Sequence, residues 1–148
     1  MVYPCSLDID GLLKTNYTGS LQDEHGNIYH IKKGKFHKTN GPAISGPVGF
    51  FYYVDGKLHN LIGPSIETKN LTAYYINDKP HNLNGPAIIH KCGLKEWFYN
   101  GLRHREDGPA IQHVNNKKEW WFEGVYYGNN NDFKNHTWKK FIDLKILK

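Results

Sequence analysis

One phrase recurs four times in the 148-residue chain and narrows its architecture before any other property is weighed. It reads Gly34-Lys-Phe-His37-Lys-Thr-Asn-Gly41-Pro-Ala-Ile44, then Gly56-Lys-Leu-His59-Asn-Leu-Ile-Gly63-Pro-Ser-Ile66. The later copies are Asp78-Lys-Pro-His81-Asn-Leu-Asn-Gly85-Pro-Ala-Ile88 and Gly101-Leu-Arg-His104-Arg-Glu-Asp-Gly108-Pro-Ala-Ile111. The histidines return after 22, 22 and 23 residues. Self-similarity at a period above about twenty residues marks stacked units, each burying its apolar face against its neighbours.

An aromatic strand precedes each copy. These are Gly49-Phe-Phe-Tyr-Tyr-Val54, Leu71-Thr-Ala-Tyr-Tyr-Ile76 and Leu94-Lys-Glu-Trp-Phe-Tyr99, with Lys117-Lys-Glu-Trp-Trp-Phe122 after the last copy and a weaker Asn27-Ile-Tyr-His-Ile31 before the first. Short aromatic and β-branched runs bounded by Gly and Asn read as strands. A second short strand follows each Gly-Pro, and Lys69-Asn70, Cys92-Gly93 and Asn115-Asn116 supply tight turns to the next unit. The pattern predicts an all-β fold, an antiparallel meander of about five hairpin repeats of 22–23 residues over 19–128, with two strands per repeat. Helical spacing occurs only over 129–148, where Phe133, Thr137, Trp138, Phe141, Ile142 and Leu144 share a face and Asn131 or Asp132 is the expected N-cap. A repeat array exposes a raw edge at its end, so this segment is expected to be a capping helix. Residues 1–18 carry no repeat and are expected to form an N-terminal arm or cap.

At 39% apolar and 22% charged, the chain is not of disordered composition. Its formal charge of +5 favours anionic partners without choosing among them. Two cysteines make no disulfide framework, the first residues do not resemble a signal peptide, and no apolar run is long enough to span a membrane. The expectation is an intracellular, non-secreted protein without a transmembrane segment.

The unit Trp97-Phe-Tyr-Asn-Gly101-Leu-Arg-His104-Arg-Glu-Asp-Gly108-Pro-Ala-Ile111, followed by Lys118-Glu-Trp120, resembles a MORN-like (membrane occupation and recognition nexus) repeat. The nearer likeness is to a variant with the phrase Trp-Tyr-x-Asn-Gly-x-x-His-Arg-x-Asp-Gly-Pro-Ala, found in giant-virus, phage and bacterial proteins. The likeness spans about residues 19–128 and departs from the standard MORN pattern in its Gly-Pro-Ala. It implies scaffolding, protein assembly and sometimes anionic-lipid contact, without catalysis, and a viral or phage structural or host-interaction factor.

No residue constellation signals an enzyme, a cofactor or a metal. Equivalent side chains in successive two-strand units stand about 9–10 Å apart, whereas ligands of one zinc lie about 2 Å from it. His37, His59, His81 and His104 are therefore expected to be structural, each bonding the backbone of its own loop. Glu96 and Glu119, one repeat apart, fall at the outer limit for an inverting carboxylate pair. The candidate binding surface is the aromatic columns Tyr52, Tyr74, Trp97, Trp120 and Tyr53, Tyr75, Phe98, Trp121, with the basic residues Lys35, Lys57, Lys79, Arg103 and Arg105. Adjacent strand residues point to opposite faces, so one aromatic set is expected in the core. The other is either packed by a curled sheet or left for a partner. A protein partner or a second copy is the first expectation, and nucleic acid or anionic lipid the alternative.

Overall fold

The computed structural model describes residues 8–147. It shows the predicted antiparallel meander, one 12-stranded sheet in which neighbouring strands follow in chain order, with a C-terminal helix. Beside this main sheet stand three separate two-stranded hairpins, Tyr53–Val54 with Lys57–Leu58, Tyr75–Ile76 with Lys79–Pro80, and Phe98–Tyr99 with Leu102–Arg103. The middle repeats therefore contribute four short strands each, where two were expected.

The cause lies in the first aromatic of each triplet. The N–H groups of Tyr52, Tyr74 and Trp97 reach the main-sheet carbonyls of Ser65, Ala87 and Ala110 at 2.8 Å. Their own carbonyls turn the other way and accept the N–H groups of His59, His81 and His104 at 3.0–3.1 Å. One residue thus serves both the main sheet and the side hairpin, and the strand creases there. His30 does the same with Ala43 and His37.

The residue after each Gly-Pro fills the crease. Ala43, Ser65, Ala87 and Ala110 are all at 0% exposure, so the phrase keeps a small side chain where nothing larger has space. Ser65 is the polar exception, and its hydroxyl is satisfied by donating to the Tyr75 carbonyl (2.9 Å) and accepting the Tyr75 N–H (3.1 Å).

Each side hairpin turns through two residues with positive φ, as in Asp55 (50°) and Gly56 (81°) or Asn100 (50°) and Gly101 (87°). These are type I′ turns, whose twist suits a two-residue hairpin and whose angles favour Gly, Asn and Asp. Asp78 replaces Gly at φ 64° and keeps the turn. The turns also link consecutive hairpins, with the N–H of Gly56, Asp78, Gly101 and Gly124 donating to the carbonyls of Phe36, Leu58, Pro80 and Arg103 at 2.9–3.0 Å. The hairpins thereby form a second row alongside the main sheet.

Paired positions on the main sheet align Ile44, Phe51, Ile66, Ala73, Ile88 and Ile111 on one face. The Tyr29 and Phe36 rings, 6.2 Å apart, and Phe36 and Tyr53, 5.5 Å apart, join that face to the hairpin row. The largest core cluster lies at the C-terminal end. There α2 (Asn135–Ile146) packs Trp138 and Ile142 on Trp120 and Phe122, with Tyr127, Phe133 and Phe141 around them.

Two details of the expected helix are corrected. It starts at Asn135 with Lys134 as N-cap, because Asp132 is engaged in the preceding turn by the N–H of Asn129 (2.7 Å). The N-terminal turn is closed by Thr137, whose hydroxyl accepts the Lys134 N–H at 3.0 Å. Leu144 is 61% exposed and does not join the packed face, and Tyr127 of the last strand packs in its stead.

At the other end, α1 (Ile9–Leu13) is capped by Asp8, which accepts the Gly11 N–H at 2.8 Å. The following segment lies on the turn between the main-sheet strands Ile28–Lys32 and Lys35–Phe36, with the Tyr17 carbonyl and Thr18 hydroxyl accepting the N–H groups of Gly34 and Lys33. The expected arm or cap over residues 1–7, and Cys5 with it, lies outside the described residues.

Candidate interaction surface

The two predicted aromatic columns do not form one surface. Trp120 is 2% exposed and belongs to the C-terminal core, so it is unavailable to a partner. Tyr52, Tyr74 and Trp97 are half-buried at the crease. A polar residue of the loop following each unit's histidine serves this region. Asn60, Asn82 and Arg105 each donate to the carbonyl of their own loop's proline, Pro64, Pro86 and Pro109, at 2.8, 3.0 and 3.3 Å. Arg105 also lies over Trp97, 4.1 Å from the ring centroid, and binds Asp107 at 2.7 Å. That hydrogen bond holds the Asp107 carboxyl below the usual range. In the first loop Lys38 takes the same place, with its ammonium 3.0 Å from His30 Nε2.

Tyr53, Tyr75, Phe98 and Trp121 are half-buried on the hairpin row. Burial pushes the Tyr53 and Tyr75 phenols up, and Asp78 and Glu96 add to it. Arg103 stands between Phe98 and Trp121, 5.6 and 5.2 Å from their centroids, and bonds Glu96 at 3.0 Å. The other carboxylate, Glu119, accepts from Lys117 (2.7 Å), His113 (3.0 Å) and the Trp121 indole (3.2 Å). Burial alone would push Glu119 up, but these bonds outweigh it and hold it below the usual range. Both carboxylates are thus engaged in ion pairs.

The histidines are structural in a way the spacing alone did not reveal. His37, His81 and His104 accept at Nδ1 the N–H groups of Asp55, Asn100 and Glu123 at 3.0–3.3 Å. Those residues open the turn of the next hairpin, so each ring ties one repeat to its successor instead of closing its own loop. His59 pairs with the Asn77 side chain at 3.0 Å, one repeat on. Tyr99 separates His81 from His104, with ring centroids 5.0 and 5.7 Å away. The rings alternate and do not converge.

Lys35, Lys57 and Lys79 are exposed on the hairpin row. A Cβ on Gly56 or Gly101 would touch the stems of Lys35 or Lys79 at 3.4–3.5 Å, so these stems lie across the following turn with the ammonium free to reach water. Among the described residues no ion pair involves any of the three.

A concavity lies elsewhere, on the loop edge. A cleft of about 820 Å³ opens between loop residues 82–85, loop residues 104–107 and α2, and is lined by Leu83, Trp97, Tyr99, Phe122, Glu106 and Ile146 among others. Sequence reasoning missed the exposed aliphatic residues of this edge, of which Leu83 and Ile146 line the cleft. Leu61, Ile62 and Leu83 are 74%, 100% and 75% exposed, and Ile146 and Leu147 of the adjacent helix end are 56% and 83% exposed. The available signal was in the variable part of the phrase, where Asn-Leu-Ile-Gly and Asn-Leu-Asn-Gly put aliphatic residues into loops otherwise built of Gly, Asn and charge.

No helix among the described residues is long and apolar enough to cross a membrane. No protein-family model and no curated protein matches the chain.

Proposed function

We propose that this chain is a MORN-like repeat protein acting as a non-enzymatic interaction or assembly module, and that the loop edge is where it meets its protein partner. The carrying observation is the exposed aliphatic set Leu61, Ile62 and Leu83 of successive loops and Ile146 and Leu147 of the helix end, with Leu83 and Ile146 lining an aromatic-floored cleft. Large exposed apolar groups rimmed by charge, here Glu106, Asp107 and Lys139, mark protein interfaces. A structural or host-interaction role in a virus or phage follows from the repeat resemblance, and an intracellular setting from the sparse cysteines.

A photo-crosslinking residue at Ile62 or Leu83, with Glu67 on the solvent face of the main sheet as control, tests the reading. Protein adducts at the two loop sites and none at Glu67 are the expected result. Adducts to nucleic acid or lipid alone, or none at all, would overturn it.

A second reading has its own observation: Lys35, Lys57 and Lys79 repeat along one row without an ion pair among the described residues. It assigns that row to an anionic ligand such as nucleic acid, anionic lipid or a phosphorylated small molecule. Binding to DNA or anionic vesicles would then fall steeply with salt and vanish in the triple Lys→Ala variant.

A further inference from the structure

We propose that the partner at the loop edge is a second copy of this chain, joined in a two-fold dimer with the loop rows antiparallel. This rests on the loop edge being a protein-binding surface and adds the identity of the partner.

The loop row is graded in chemistry. The first loop carries Lys38, the second Leu61 and Ile62, the third Leu83, and the fourth Arg105, Glu106 and Asp107, where the Arg105–Asp107 pair at 2.7 Å leaves Glu106 as the uncompensated charge. A basic end, an apolar middle and an acidic end are complementary to the same row reversed. A two-fold axis between the second and third loops sets the first loop against the partner's fourth and the second against the partner's third. Lys38, whose ammonium rests 3.0 Å from His30 Nε2 in the single chain, then turns to the partner's Glu106 at both ends, and the aliphatic loops meet in the middle. An isologous interface needs this self-complementarity, and a parallel apposition would stack like charge on like.

The helix fits the same arrangement. The Trp138 indole donates to the Arg105 carbonyl at 3.0 Å, and Lys139 senses the charges of Glu106 and Asp107. Ile146 lines the same cleft as Leu83 and Asn84. The seven helical steps from Lys139 to Ile146 span about 10 Å, close to the step of about 9–10 Å between repeats. The helix therefore runs beside the fourth loop, with Glu106 still exposed, and ends at the third, leaving Leu61 and Ile62 of the second bare. Under the two-fold, that bare loop arrives at the partner's third loop. The partner's Ile146 and the partner's Leu147 stand there equally bare. Each copy supplies what the other lacks.

Light scattering during size exclusion, run from low to high protein concentration, tests the dimer. The wild type is expected to elute as a dimer at high concentration. Ile62→Asp and Leu147→Lys are each expected to weaken dimerisation at least tenfold with unchanged melting, because both side chains are highly exposed in the single chain. Mixed together, the two variants are expected to recover a heterodimer, since the carboxylate introduced in one would face the ammonium introduced in the other. A wild type monomeric throughout, a dimer indifferent to both substitutions, or a mixture that stays monomeric overturns the proposal. If a monomeric wild type still yields crosslinks to a different protein at Ile62, only the identity of the partner fails and the interaction role stands.

Discussion

Replacing Trp138 by Ala is the most direct probe of how the array is closed. The side chain is at 0% exposure, packs against Tyr127, Phe133 and Phe141 at centroid distances of 5.6, 5.1 and 5.6 Å, and donates its indole N–H to the Arg105 carbonyl at 3.0 Å. Truncating a buried Trp to Ala costs about 3–5 kcal/mol. Leaving the Arg105 carbonyl without its donor raises the cost toward the upper end of that range. Against a typical domain stability of about 5–15 kcal/mol, the loss should move the melting temperature by roughly 8–20 °C, at about 2–4 °C per kcal/mol for a chain near this length. Trp138→Phe keeps most of the apolar contact and loses the hydrogen bond, so it should fall at about half that or less. Urea denaturation followed by circular dichroism gives both values. Because each repeat touches only its neighbours, hydrogen exchange should quicken at Trp120–Phe122 while Tyr29–Ile31 stay protected. A cost below about 1 kcal/mol for Trp138→Ala, or equal loss of protection at both ends, would refute the assignment of α2 as a cap for one end.

Other substitutions test the crease and the charge cluster. Ala87→Leu puts a large side chain into a site at 0% exposure, and overpacking should destabilise by about 1–3 kcal/mol in urea titration, whereas the exposed neighbour Asn84→Leu should be near neutral. Glu96 and Arg103 stand where the preceding repeat has Ala73 and Pro80. Arg103→Leu alone should destabilise by leaving the Glu96 carboxylate, 14% exposed, without its 3.0 Å partner, and adding Glu96→Ala should recover most of the loss. Stability should also fall in two steps on acidification. Burial and the Lys38 ammonium push His30 below its ordinary 6.5, so its contribution is complete above about pH 6.5 and is lost as pH falls through the lower folded value. The hydrogen bonds from Asn27, and further ones from Tyr29 and the His25 N–H, lower Asp23 to about 2 from 3.8, so its contribution is lost between those values. Urea midpoints against pH should lose the upper step in His30→Gln and show a smaller lower step in Asp23→Asn, the remainder coming from Asp107 and Glu119, whose carboxyls are also held below the usual range.

Much of the fold was legible because repetition amplifies weak signals. A single Gly-x-x-His-x-x-x-Gly-Pro proves little, but four in register gave the hairpin period, the antiparallel order and the turn at Asp78. The crease was not legible. A run such as Phe50-Phe-Tyr-Tyr-Val54 has the composition of one continuous strand, and the break at Tyr52 comes from two hydrogen bonds to segments 7 and 13 residues away, His59 and Ser65. For the same reason the face of each aromatic could not be assigned, and Trp120, expected at the surface, is in the core. The reach of each histidine into the following turn was hidden because it spans 18 or 19 residues. The loop aliphatics were visible but overlooked, since they fall at the positions where the copies differ.

The crease also governs how such a chain can grow. At each unit the same backbone groups are presented forward as are received from behind, an N–H to the next Gly-Pro-Ala carbonyl and a carbonyl to the returning histidine. A duplicated unit inserted between the second and third would meet the partners it needs on both sides, and the two ends, with their single-use caps, would be displaced intact by about 10 Å. Length is therefore a free variable in steps of one unit, and a gene that slips by 22 or 23 codons would yield a longer ruler with its ends unchanged.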